Sequence, residues 1–533
     1  MNSDDYFKKL DDIVFTNKFV ELSVSHDPKQ HPVVKTEKSI QYYINRYIKP
    51  HVDLDIYKSI LPTGCRPGAI YGLAKVHKQD IPLRPVISML NTPQYGLAKY
   101  LHSVIQPCIP SGYMLKSTSD FIEKLKDIEL CNSANLVSFD VESLFTNVPL
   151  DETINLAVDY VYSEESRCKP QYDRRHFKKL LCFATSGEFI YRDRLFRQVD
   201  GVAMGSPLGP TLANLFLAHY ERQWQNHVNA PSTYLRYVDD LFCIFTNGQD
   251  YNNFLEYLNT RHPNLKFTTE IGHNKLPFLD VSVEIQGDSF IRSVHRKLTH
   301  TGLMLNFNAF CPLQWKRSVI CGCLYRAFSI CSSRRLFDFE VSNLRRLFEM
   351  NGYPIPFFND ILSSFLRKVH EPRIQSCNES DVYTLCLPYF GNVSETFILR
   401  FRRFCRRYNL KIRIVYKPFK VGHYFSLKSV CPKFLESCVV YKYTCPVDQA
   451  SYVGKTRRHL IQRINEHRNS EQSAIYNHNV LCHCLTPKNF EILKQCRGDF
   501  ELSLTEALLI KKERPTLNAS LANQGSSVFL KLF

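Results

Sequence analysis

The sequence has no uninterrupted apolar run long enough to cross a bilayer, and its first residues, MNSDDYFKKLDD, are charged and lack the apolar core of a secretory signal. The expectation is a soluble, non-secreted protein. No internal repeat or low-complexity tract is present, which argues against a solenoid or a fibrous array. The 19 cysteines are an odd number scattered through 533 residues, a pattern of reduced thiols in an intracellular compartment rather than of a disulfide scaffold. Acidic charge is in deficit: 51 Asp plus Glu stand against 68 Lys plus Arg, leaving a formal +17. Such a surplus favours a polyanionic partner through counterion release, although a solvated basic face would give the same count.

What is present is a chain that is 44% hydrophobic and 13% aromatic, enough to bury the cores of several domains. Pro62, Gly64, Pro67 and Gly68 punctuate the entry into a turn-rich basic segment. The expected organisation is an N-terminal region over 1–60, a catalytic α+β domain over 61–300, a helical region over 301–395, a basic connector over 396–437 that contains RFRRFCRR, and a small α/β unit over 438–533.

Two acidic sites stand out in the catalytic region. In NLVSFDVESLF an apolar strand, Leu136 to Phe139, delivers Asp140 at its end; in YLRYVDDLFCIF two apolar strands flank Asp239 and Asp240 at a tight hairpin. An Asp-Asp pair in a hairpin is by itself an ordinary exposed turn. Two-metal phosphoryl transfer, however, needs several carboxylates converging on ions about 3.5–4 Å apart, and Asp140 with Asp239 would be the ligands, supported by Asp240. Between them lies GVAMGSPLGPTLANLFLAHYE, where Gly201, Gly205 and Gly209 allow close backbone approach ahead of a helix carrying Leu208, Leu212, Leu215 and Phe216.

The ordered segments FDVESLF, GVAMGSPLGP and YVDD resemble motifs A, B and C of the reverse transcriptases. Upstream YGLAKVHK and LRPVIS, and downstream LPFLDVSVE and VHRKLTHTG, resemble the Penelope-like branch, which is related to telomerase. The resemblance implies a right-hand polymerase of fingers, palm and helical thumb-like region, using two Mg2+, an RNA template, a DNA primer and dNTPs. It implies that Phe145 is the steric gate against a ribose 2′-hydroxyl, that Lys75 and Arg84, with Lys78 less distinct from ordinary surface charge, grip the triphosphate, that Met204 and Gly205 support the template, and that Lys297 lies in the primer-gripping region. Met204 stands where many reverse transcriptases carry Gln. No acidic quartet of an RNase H domain is evident.

In the last unit, CVVYKYTCPVDQASYVGKT places Tyr441 and Tyr452 on strand-like segments, the second ending at Gly454. HLIQRINEH carries Arg463 and His467 on a helix, and Glu506 begins another helix that Pro515 ends before Asn518. This order resembles the GIY-YIG endonucleases, with Val439-Val440-Tyr441 in place of Gly-Ile-Tyr, and the fusion of such a domain behind a reverse transcriptase is the hallmark of Penelope-like elements. The resemblance implies one Mg2+ on Glu506, Tyr441 and Tyr452 beside the scissile phosphate, Arg463 stabilising its charge, Asn518 in support and His467 as a further polar participant. It also brings a zinc site into view, held by Cys445, Asp448, His478 and His483, by Cys438, Cys482 or Cys484, or not at all.

The combined expectation is target-primed reverse transcription on a DNA target, carried out in the nucleus after cytoplasmic synthesis. A rival of another class is a decayed or domesticated nucleic-acid-binding protein that keeps the basic surface without catalysis. A third reading, a telomere-end polymerase, differs in needing no nick of its own making.

Overall fold

A computed structural model describes residues 1–24, 30–76, 78, 80–130, 134–246, 249–370, 382–417, 431–482, 485–496 and 498–518. The chain divides into two compact units, one formed by Met1–Pro110, Ser143–Tyr220 and Lys428–Phe533, the other by Ser111–Glu142 and Glu221–Leu427. Among the described residues no helix is long and apolar enough to cross a membrane.

The first unit contains a five-stranded sheet in the order Phe19–Leu22, Arg194–Gln198, Glu188–Tyr191, Gly68–Ala74, Leu83–Ser88. The N-terminal region, expected to stand apart, supplies its edge strand, with Phe19 paired to Gln198. It also supplies the helix Ser3–Val14, whose N-cap Asn2 side chain accepts from the Asp5 amide and whose Leu10 and Val14 enter the core with Phe19, Ile87, Phe189 and Phe196.

The same unit holds a three-stranded antiparallel sheet with Val439–Thr444 between Ser451–Thr456 and Phe490–Gln495. The strand expected to finish at Gly454 runs on to Thr456. The helix expected to begin at Glu506 spans Asp499–Glu513 instead, so Glu506 sits in its middle; Arg514, at φ +44°, terminates it before Pro515. This body is tied to the N-terminal helix Pro32–Tyr43 by a buried carboxylate. Glu37 accepts from the Gly64 and Cys65 amides at 3.1 and 2.8 Å and lies 3.0 Å from His459 Nε2.

The second unit is built on a four-stranded antiparallel sheet in the order Thr233–Tyr237, Asp240–Phe245, Asn135–Val141, Phe267–His273. Its two central strands are almost wholly apolar because both faces are covered: Leu136, Phe242 and Ile244 join one core with Phe121, Leu276 and Val283, while Phe139 and Phe245 meet Phe254 on the other side. A three-stranded meander over Lys275–Phe278, Val281–Gln286 and Ser289–Val294 follows. Helices Leu313–Ile330, Arg334–Met350 and Ile355–His370 then pack around Leu324, Val341, Leu344, Phe348 and Phe358. Where a basic connector was expected, Tyr383–Pro388 and Ile412–Lys417 form a two-stranded parallel sheet joined by the helix Asn392–Arg407.

Candidate polymerase and nuclease sites

In the second unit, antiparallel pairing sets Asp140 directly opposite Asp240, and the Val141 amide donates to the Asp239 carbonyl at 3.1 Å. Directly opposed residues share a face of the sheet, so two carboxylates from positions a hundred residues apart in sequence emerge side by side, with Asp239 in the turn next to them. All three are half-buried. The turn is strained: Tyr237 pairs with Asp240, leaving Val238 at φ +57°, an unfavourable conformation for a β-branched residue. It is held from below by Arg236, fully buried, which donates to the Val238 carbonyl at 3.0 Å and pairs through both Nε and Nη2 with Glu221. Tyr234 donates to the same Glu221 at 3.0 Å. Sequence reasoning missed this pair, yet an arginine inside an apolar strand is its signal, since a buried charge requires a partner. Partly exposed carboxylates are hard oxygen donors, and Asp140 and Asp240, opposed in register, are of the type that suits a divalent cation such as Mg2+. Lys297 is exposed in the segment after the Ser289–Val294 strand.

The remaining polymerase candidates lie in the first unit. Phe145 is half-buried on the short helix Leu144–Asn147, and its carbonyl accepts from the Val202 amide at 2.7 Å. Gly205 follows half-buried Met204, and a Cβ on it would fall 1.9 Å from the Ile87 carbonyl oxygen. That contact presses the GVAMGSPLGP loop onto the strand that carries exposed Arg84. Lys75 and exposed Lys78 lie in the turn after Gly68–Ala74, where the Lys75 amide donates to the Pro82 carbonyl at 2.9 Å.

Of the nuclease residues Tyr441, Tyr452, His467 and Asn518 are buried, while Arg463 and Glu506 are half-buried. Tyr441 is fully buried; its hydroxyl lies 2.7 Å from His467 Nε2 and accepts from Arg463 Nε at 3.2 Å. Tyr452 is next to it, with ring centroids 6.4 Å apart. Gly454, opposite Tyr441 in register, leaves the space: a Cβ there would be 2.7 Å from the Tyr441 hydroxyl. Burial raises the pKa of both tyrosines, while Arg463 works in the opposite direction on each. Burial, with the Arg463 charge, brings His467 down to about 4, so its imidazole is neutral near pH 7. Its Nδ1 lies 2.6 Å from Ser473 Oγ.

Asn518 clamps the Val453 backbone, accepting from its amide at 2.8 Å and donating to its carbonyl at 2.7 Å, which makes it a positioning residue. Glu506 pairs with Lys455 at 2.9 Å, a partner that the sequence reading did not single out. The Glu506 carboxylate is a hard oxygen donor of the type that takes a divalent cation, which would have to displace the Lys455 ammonium.

A third cluster joins Cys445, Asp448 and His478, whose ligand atoms lie within 4.8 Å of one another. Against the burial that raises it, hydrogen bonds from the Asp448 amide and His478 hold the Cys445 thiol below its usual pKa. Sulfur, nitrogen and oxygen donors at this separation fit zinc, which takes a fourth ligand. His483 and Cys484 lie outside the described residues, as does the Cys482 side chain.

Residues 76–285 match the family model for reverse transcriptase (RNA-dependent DNA polymerase), residues 437–518 that for the GIY-YIG catalytic domain, and residues 303–363 that for the animal helix-turn-helix domain. The last match falls on the three-helix bundle, where a thumb-like region was expected. No curated protein matches the chain. Among solved structures, telomerase from Candida albicans in complex with a TWJ fragment of telomeric RNA is 10% identical, with a TM-score of 0.41 over 66% of this chain and 67% of that one. Apo telomerase from Candida tropicalis is 10% identical, with a TM-score of 0.38 over 69% and 63%. The sicinivirus 3Dpol RNA-dependent RNA polymerase is 10% identical, with a TM-score of 0.38 over 69% and 86%. The chain thus spans about two-thirds of the length of these telomerase chains. Asp140, Asp239 and Asp240 all fall inside the first family match, and Tyr441, Tyr452, Arg463, Glu506 and Asn518 inside the second, so one chain carries a reverse transcriptase domain and, behind it, a GIY-YIG nuclease domain.

Proposed function

We propose that this chain is the RNA-directed DNA polymerase and DNA-nicking endonuclease of a Penelope-like retrotransposon, acting in the nucleus by target-primed reverse transcription. The observation that carries the reading is the coexistence in one chain of the opposed carboxylates Asp140 and Asp240 with the hydrogen-bonded Tyr441–His467–Arg463 cluster. Nicking alone would leave a DNA end unused, and synthesis alone would require an end made elsewhere.

In this reading Asp140 and Asp239, with Asp240 beside them, would hold two Mg2+, whose chemistry would be activation of the primer 3′-hydroxyl and neutralisation of the triphosphate. Lys75 and Arg84 bind the triphosphate, Phe145 excludes the ribose 2′-hydroxyl, Met204 and Gly205 support the template, and Lys297 contacts the primer. The three helices after the meander contact the primed duplex as a thumb would. In the nuclease, Glu506 holds one Mg2+. Tyr441 donates its hydroxyl hydrogen bond to the neutral His467 ring and accepts one from Arg463, so it keeps its proton, and the remaining lone pair of its oxygen is what it can offer the attacking water. Arg463 offsets charge developing on the phosphate. Cys445, Asp448 and His478, completed by a further donor such as His483, hold Zn2+ and tie the turn after Val439–Thr444 to the helix Ala474–Cys482.

Supercoiled plasmid, dNTPs, Mg2+ and an RNA with a matching 3′ end test the mechanism. The expected product is cDNA joined covalently to nicked plasmid. Extension of supplied primers without any cutting would remove the target-primed step.

A further inference from the structure

The segment from Tyr383 to Lys417 lies outside all three family matches, yet it is folded: a helix, Asn392–Arg407, covers one face of a two-stranded parallel sheet. That helix buries Ser394 and Cys405 against the sheet, and the Tyr416 hydroxyl donates to the Ser394 carbonyl at 2.7 Å. Its aromatic residues are not what it buries. Phe397, Phe401, Phe404 and Tyr408 succeed one another at intervals of four, three and four, which places them in one stripe along the helix. Phe397 and Phe401, and Phe401 and Phe404, have nearly parallel, stacked rings with centroids 5.5 and 6.2 Å apart, and the Tyr408 ring is tilted against Phe404 at 4.7 Å. Phe397, Phe404 and Tyr408 are 43%, 49% and 56% exposed.

A run of exposed rings on a folded element is costly in water and marks a contact surface. The charge around it states the kind of contact. Over 383–417 the sequence has eight basic residues against one acidic residue, Glu395. Arg400, Arg403 and Arg407 flank the stripe on its open side at the helical period and are exposed. No carboxylate among the described residues pairs with them. An apolar protein partner would leave these guanidinium groups desolvated and unmatched. A duplex hides its base faces, so the rings would have nothing to stack on. Rings that accept base faces beside arginines that accept phosphates suit an unpaired strand.

We infer that the Asn392–Arg407 helix is a binding site for single-stranded RNA, with bases stacking on Phe397, Phe404 and Tyr408 and phosphates held by Arg400, Arg403 and Arg407. On the polymerase reading, the strand it takes is the template RNA. The choice of RNA over single-stranded DNA rests on the polymerase reading; the unpaired state of the strand rests on the rings alone.

The full chain is irradiated with a 4-thiouridine-containing oligouridine of roughly a dozen nucleotides, matching the site size of stacking platforms, and the cross-links are mapped by mass spectrometry. Fluorescence anisotropy with the same strand compares the native chain with Phe404→Ala, Tyr408→Ala and Phe404→Tyr. Cross-links within 392–408, about a fivefold loss of affinity for each ring removed and recovery in Phe404→Tyr are expected. Incorporation of dNTPs on a short primed template should be unchanged in these variants. Absence of cross-links in this helix overturns the inference, as does equal weakening of duplex RNA binding. Tighter binding of oligodeoxythymidine would overturn the assignment to RNA. Loss of a chain dimer in sedimentation, with RNA affinity intact, would make the stripe a self-association surface instead. If an alanine variant fails to fold, the cross-link map on the native chain decides. A chain that cross-links here but incorporates no dNTP would contradict the polymerase reading and leave standing the helix as a site for an unpaired strand, with the oligodeoxythymidine comparison deciding its sugar.

Discussion

Arg236 donates from a fully buried guanidinium to the carbonyl of Val238, two residues further along the chain, and thereby braces the turn that presents Asp239. Val238 occupies a left-handed conformation that a β-branched residue adopts only when its surroundings impose it. Glu221 neutralises Arg236, and Tyr234 completes the carboxylate's hydrogen bonding. Arg236→Met would leave Glu221 buried and unpaired, at a cost of about 3–5 kcal/mol. Arg236→Lys keeps the charge but cannot reach both the carboxylate and the carbonyl in the same geometry. We expect denaturant melts to show the large loss for Arg236→Met, and Arg236→Lys to incorporate dNTPs at least tenfold more slowly while still folded. Native rates in Arg236→Lys would show that the turn keeps its shape without the brace.

Phe145→Ala should admit ribonucleotides. Primer extension with rNTPs in place of dNTPs measures this directly, and discrimination against rNTPs should fall by roughly two orders of magnitude, within the range that one removed steric clash accounts for. Unchanged discrimination would assign the sugar check to another residue.

Gly205→Ala places a methyl group into the Ile87 carbonyl, a backbone atom that cannot swing aside. The expected cost is about 1–3 kcal/mol, as for other overpacked sites. The thermal midpoint should fall, and the KM for dNTP should rise if the displaced loop carries Met204 away from the template. A variant with native midpoint and native KM would contradict the close approach.

His467 provides a pH signature for the nuclease domain. Its folded pKa, depressed to about 4 mainly by burial, lies below the usual value of 6.5. The unfolded chain therefore binds more protons between those two values, and stability is complete above pH 6.5 and falls as pH drops toward 4. The contribution is about 3 kcal/mol across that window. Thermal melts from pH 7 to pH 4 should show the decline, and His467→Asn should flatten it. Nicking should likewise persist below pH 6.5, since the imidazole remains a proton acceptor there. A native nicking profile that collapses at pH 6.5 would place the ring in an exposed setting instead.

What the sequence revealed and what it hid follow one physical division. Asp140, the Tyr237–Asp240 turn and the Tyr441, Arg463 and Glu506 order are local patterns: strand alternation, a hairpin and a helical period announce themselves within a few residues. Partners brought together by tertiary pairing do not. Glu221 and Arg236 come from a helix end and a strand, and Glu37 and His459 from opposite ends of the chain, so no spacing rule links them. Lys455 lies one residue past the end expected for its strand, and only the strand's run to Thr456 beside the Asp499–Glu513 helix shows it paired with Glu506. The arginines of RFRRFCRR read as charge and so as a connector; what makes them part of a folded helix is the alignment of Phe397, Phe401, Phe404 and Tyr408 beside a buried Cys405, which charge alone does not announce.

The most direct test of the account is a paired assay on one preparation: incorporation of labelled dNTP on a primed RNA template and nicking of plasmid DNA, both with Mg2+, for the native chain, Asp239→Ala and Glu506→Ala. The account predicts that Asp239→Ala loses synthesis and keeps nicking, while Glu506→Ala loses nicking and keeps synthesis. Native protein that binds RNA yet neither polymerises nor cuts would contradict it and leave a nucleic-acid-binding protein without catalysis.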